Sequence, residues 1–246
     1  MNKNRLVLVL VVTIIFIFGF VIKSKHKQNI RTCEEKPLVI YSVENIGLDD
    51  ECFENIPTNK LISIICQRDP LDASVDRLQF NSEKNDAANI LFSLPRLPDG
   101  VVKELSLAVV RESEDIVWRD YAIQFLGLAL EKRQTNKSFI SSEDELLANN
   151  VLTKALEMKE GTLAGTALFA LYRANPVDAE IIENALIIVN DSTYSDSSFN
   201  AAFLLLEEKA YSGLSSLAMK ISTETNRTIF QRNIALAVLN RIENTN

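Results

Sequence analysis

The sequence predicts an all-α protein: an α-solenoid of about four and a half helical hairpins, preceded by one N-terminal transmembrane helix. Three observations predict it. Five alanines, Ala88, Ala122, Ala167, Ala201 and Ala235, recur at spacings of 34, 45, 34 and 34 residues. Each is followed four positions on by a large apolar side chain: Phe92, Leu126, Leu171, Leu205 and Leu239. A fixed period of about 20–50 residues marks stacked helical hairpins. Glycine (7) and proline (6) are scarce in the 246 residues, as a helical chain requires, because both break helix interiors. Finally, Leu6 to Ile22 carries no charge and one clearly polar residue, Thr13.

The chain divides into 1–31, a transmembrane signal anchor with basic flanks; 32–82, a linker and irregular N-terminal cap; and 83–246, the repeat domain. The anchor comes first. Seventeen residues from Leu6 to Ile22 span roughly 26 Å as a helix, close to the hydrocarbon thickness of a bilayer. Lys3, Arg5, Lys23 and Lys25 flank the segment and can snorkel to the interfaces. The run exceeds the usual length of a signal-peptide apolar region, and no small-x-small cleavage site follows it. An uncleaved anchor fits better than a cleaved signal peptide.

Within 32–82, Pro37 to Val43 is β-branched and aromatic-rich and reads as extended. Asp49-Asp50-Glu51 reads as a solvated loop. Leu61 to Cys66 reads as a short buried helix ended near Asp69-Pro70, because the residue before proline is pushed out of the helical region. Leu71 to Phe80 adds another short helix.

Turn signals then divide each repeat. Prolines follow Ala88 and Ala167 at Pro98 and Pro176, and a new apolar pattern begins after each. Asn175-Pro176-Val-Asp178 reads as a helix start with Asn as cap, and Ser142 to Glu145 reads as a capping box. First helices are expected near 84–94, 116–131, 163–173, 198–209 and 230–242. Second helices follow near 98–111, 143–160, 175–189 and 213–223. The one long spacing places its eleven extra residues at about 133–143 (RQTNKSFISSE). Insertions in repeat proteins map to loops, often on the binding face. Phe139 and Ile140 stand there between polar residues, either as a local packing pair or as contacts for a partner. Trp118 is a core residue or an interface anchor.

Val117-x-Arg119-x-x-Ala122-x-x-x-Leu126-Gly127 resembles the helix signature of HEAT repeats. Phe230-x-Arg232-x-x-Ala235-x-x-x-Leu239 repeats it without the glycine, and the other three units keep the alanine and the large residue but not the arginine. The resemblance covers about 82–246. It implies an armadillo-type, right-handed superhelix that binds proteins.

Composition narrows function further. Residues 1–31 hold six basic residues and no acid, leaving twenty basic against thirty-three acidic residues in 32–246, a net of −13. An acidic body repels phosphate backbones, so nucleic acid is not an expected partner. The one histidine, His26, lies beside the anchor, which removes Ser-His-Asp and Cys-His catalysis and histidine metal sites from the body. The glycines are too scattered for a phosphate loop or a dinucleotide fingerprint, and no catalytic, cofactor or metal residues stand out. The expected function is a membrane-tethered scaffold for an unidentified protein partner, without catalysis. The alternative is a carboxylate-dependent, glycan-acting hydrolase on a helical-hairpin fold, since carboxylate pairs leave no sequence signature.

Orientation rests on conflicting signals. The positive-inside count slightly favours a cytoplasmic body. A short basic tail before an extreme N-terminal apolar run favours export. Cys33 and Cys52 lie in polar surroundings where a bridge could form in an oxidising compartment. The expectation is an extracytoplasmic repeat domain.

Overall fold

The computed structural model describes residues 56–68 and 76–243. The proposed anchor at 6–22, the extended reading of 37–43, and Cys33 and Cys52 all lie outside the described residues. Among the described residues, all regular structure is helical: α1 Thr58–Ile65, α2 Arg77–Ser93, α3 Val101–Val110, α4 Ile116–Thr135, α5 Ser142–Ala155, α6 Leu163–Ala174, α7 Glu180–Asn190, α8 Asp196–Glu208, α9 Leu214–Thr223 and α10 Ile229–Glu243. No described helix is long and apolar enough to cross a membrane.

The even-numbered helices carry the repeated alanines and form one row, each contacting the next: α2 with α4, then α6, α8 and α10. Ala88, Ala122, Ala167 and Ala235 are fully buried between neighbours. In α8 the fully buried residue is Ala202, not Ala201. Ala201 is half-buried, with its Cβ facing the crossing with α6 at Gly165.

Helix pairing differs from the expected unit. Three of the four second helices pack mainly on the first helix that follows them, α3 on α4, α7 on α8 and α9 on α10, whereas α5 packs as much on α3 and α4 as on α6. Three of these hairpins share one turn: Arg111–Asp115, Asp191–Ser195 and Glu224–Thr228. The fourth residue of each turn (Glu114, Tyr194, Arg227) is buried. The fifth caps the next helix through its side chain: Asp115 accepts from Val117 N, Ser195 from Ser198 N and Thr228 from Gln231 N. A turn this short leaves its helices no choice but to lie side by side, so the hairpin is second helix, turn, first helix.

Several helix ends also moved. α2 begins at Arg77, capped by Asp76, rather than near residue 84. Asn175 closes α6 by donating to Leu171 O rather than opening α7, and α7 starts at Glu180, whose N–H is taken by Asp178. The cap of α5 is Ser141, which accepts from Asp144 N, because Ser142 is held elsewhere by Arg133. The insertion is only partly a loop, since α4 runs on through Arg133 to Thr135.

Polar ties between units recur about one repeat apart in sequence. Asn81 donates to Asp115 at 2.9 Å, Tyr172 to Glu208 at 2.8 Å, and Tyr194 to Leu156 O at 2.8 Å. Arg173 pairs with Glu131 and Arg241 with Glu207, both at 2.6 Å.

Candidate interaction surface

The insertion after α4 packs back onto the connection between α2 and α3. Phe139 and Ile140 are 2% and 3% exposed. The Phe139 ring lies 6.0 Å from Phe92, which itself lies 5.0 Å from Phe125. Lys132 Nζ stands 5.0 Å from the Phe139 centroid and donates to Phe92 O. The two loops are laced together by Leu97 N to Phe139 O at 2.9 Å and Asn136 Nδ2 to Pro95 O at 3.0 Å. The apolar pair is therefore a plug over the Phe92–Phe125 pair. Its sequence surroundings are polar because its neighbours line the rim.

Arg133 organises the loop from beneath. Its guanidinium donates to the Lys137 and Ile140 carbonyls, to Ser142 Oγ at 2.9 Å, and to the Glu145 carboxylate. Those groups would otherwise be unmatched turn carbonyls beside a helix start. Between this loop and the preceding connection lies a cavity of about 300 Å³ lined by Arg96, Arg133, Lys137, Ser138, Ile140, Ser141 and Ser142. Every charged residue lining it is basic, although acids outnumber bases in the chain, 33 to 26. Sequence reading missed Arg96, because nothing in its own neighbourhood links it to a loop some forty residues on.

Trp118 is also in the core, 1% exposed. Lys84 Nζ sits 4.6 Å from its ring and donates to Gln67 O at 2.6 Å and to the buried Glu114 at 3.3 Å. This cluster fastens the end of α1 to α2 and to the turn before α4. Arg119, one turn before Ala122 on α4, is likewise buried: its Nε donates to Val109 O at 3.1 Å and its guanidinium pairs with Glu160. It joins the last turn of α3, which needs carbonyl partners, to the α5–α6 turn.

Other titratable groups sit at unit junctions. Lys159 donates to Asp191 at 2.6 Å. That bond and those from Thr193 hold the Asp191 carboxyl down to about 2. Burial, followed by the Glu104 carboxylate, pushes up the Cys66 thiol, a free thiol. No group of three His, Cys, Asp or Glu side chains among the described residues is placed to hold a metal ion.

No protein-family model, curated protein or solved structure matches the chain.

Proposed function

We propose that this chain is a membrane-tethered helical-repeat scaffold that binds a protein partner and performs no catalysis. The repeat domain reads as a HEAT-like, armadillo-type right-handed solenoid, held by the segment 6–22 and displayed outside the cytoplasm. The observation that carries this is the recurrence of inter-helix ties one repeat apart, from Asn81–Asp115 to Arg241–Glu207. Each unit is fastened to its neighbours, which is how a solenoid builds an extended surface. The missing histidine in the body supports the non-catalytic part.

Cross-linking in intact cells, then purification from solubilised membranes, tests the scaffold. A protein enriched with the full chain is expected; no enrichment, together with glycan hydrolysis abolished by one Asp or Glu substitution, would overturn it. A membrane-impermeant thiol reagent or protease tests orientation: reaction only after lysis, with Cys33 and Cys52 both reduced, places the body in the cytoplasm.

A further inference from the structure

We propose that the cavity between the insertion loop and the α2–α3 connection takes a carboxylate-bearing, acidic peptide segment of the partner, held by Arg96 and Lys137. The proposal rests on the scaffold reading and names the chemistry its partner must present. The walls are fixed before any ligand arrives, by Arg133 under one loop and by the Leu97–Phe139 and Asn136–Pro95 hydrogen bonds between the two. Fixed walls lower the ordering cost of binding.

The rim is chemically available. Lys137 is exposed and makes no ion pair among the described residues. Arg96 pairs at 3.0 Å with Asp99, but both side chains are open to solvent, at 65% and 87% exposure. Such pairs are weak and exchange readily for another carboxylate. Ser142 accepts from Arg133 and so keeps its own O–H to donate.

A carboxylate fits better than a phosphate. Arg133, the buried guanidinium of the cavity lining, is spent on Glu145, two carbonyls and Ser142. What remains is one guanidinium fork that already faces Asp99 and one ammonium, about one uncompensated positive charge, which suits a single carboxylate. The first turn of α5 carries Glu143, Asp144 and Glu145. Asp144 is engaged by Ser141 and Glu145 by Arg133. Glu143 remains exposed and penalises a dianion more than a monoanion.

The test uses the full chain in neutral-lipid nanodiscs and a short fluorescent oligoglutamate peptide, read by anisotropy. Expected are salt-sensitive binding, a loss of at least about tenfold in the Arg96→Ala/Lys137→Ala double variant, where both exposed contacts are gone, and tighter binding in Glu143→Gln. Lys154→Ala, an exposed lysine at the far end of α5, should bind like the unaltered chain, and circular dichroism should show all variants equally helical. Equal binding by the double variant overturns the proposal, as does competition by inorganic phosphate that exceeds competition by acetate. A cross-linked partner still recovered with the double variant would sink this site and leave the scaffold standing. Loss of both partner and peptide binding from the unaltered chain would remove both.

Discussion

Gly127 and Gly165 occupy close helix crossings in the even-numbered row. A Cβ on Gly127 would lie 2.6 Å from the Ala170 Cβ and 3.0 Å from its Cα. One on Gly165 would lie 2.8 Å from the Ala201 Cβ and 3.0 Å from the Ser198 Cα. Alanine normally gains in a helix interior relative to glycine, but backbone contacts cannot yield as a flexible side chain would. Gly127→Ala should therefore destabilise by about 1–3 kcal/mol, an overpacking cost, and Ala170→Gly in the same background should recover part of it. Urea unfolding measures both, and a Gly127→Ala variant as stable as the unaltered chain would refute the crossing. The alanine period was legible at this scale because a buried small residue leaves a regular mark. Which of Ala201 and Ala202 is fully buried was not, since adjacent alanines satisfy the same pattern.

Asp191 makes a second prediction at the scale of the residue. Its carboxyl is held to about 2, from an ordinary 3.8, first by Lys159 and then by Thr193. A depressed folded-state value stabilises above the unfolded value and loses that stabilisation as pH falls through the folded one. The Lys159–Asp191 tie should thus be fully present at neutral pH and fade between pH 3.8 and about 2. The stability gap between the unaltered chain and Asp191→Asn should close over the same window. Both partners are well exposed, so solvent screening keeps the gap to a fraction of a kcal/mol. Carbon-detected NMR of the Asp191 carboxyl checks the titration directly.

Helix positions were readable to within one to two turns, but not how helices pair. A repeat of first and second helices has the same period whichever neighbour the second one joins. What decides is the length and chemistry of each connection, and the buried fourth residue of the short turns is a different type each time: Glu114, Tyr194, Arg227. Pattern matching cannot align those. The insertion was misread for a related reason. Lys132, Arg133 and Gln134 favour helix and no glycine or proline stops them, so α4 absorbs residues that the spacing alone assigns to a loop. Arg133 then becomes the element that sets the loop. Arg133→Ala should unmatch the Lys137 and Ile140 carbonyls at a cost of roughly 2–3 kcal/mol. It should also open 136–141 to proteolysis before the rest of the chain. Arg133→Lys should not rescue it, because an ammonium cannot serve that fork of partners. Cleavage elsewhere at the same rate would count against this role.

At the scale of the described residues, a stack fastened only between neighbours should not open all at once. α4, α6 and α8 are each covered by an even-numbered helix on both sides, whereas α10 packs chiefly on α9 and α8. Its exposed apolar residues, Ile229 (71%), Phe230 (51%) and Leu236 (47%), show how little of it is covered. Asn233 and Asn240 are exposed on the same helix, and these three apolar side chains share its solvent-facing surface. Local stability in a repeat array approximates intrinsic terms plus neighbour interfaces, so a helix missing one interface opens at lower free energy. Hydrogen exchange on the full chain should find α9 and α10 amides exchanging at least about tenfold faster than those of α6, a gap of about 1.4 kcal/mol in opening free energy. Low urea should unfold the α9–α10 hairpin while the central helices stay protected. A single exchange rate across α4 to α10, or one cooperative transition at every probe, would show one indivisible core and would remove the nearest-neighbour account of this fold.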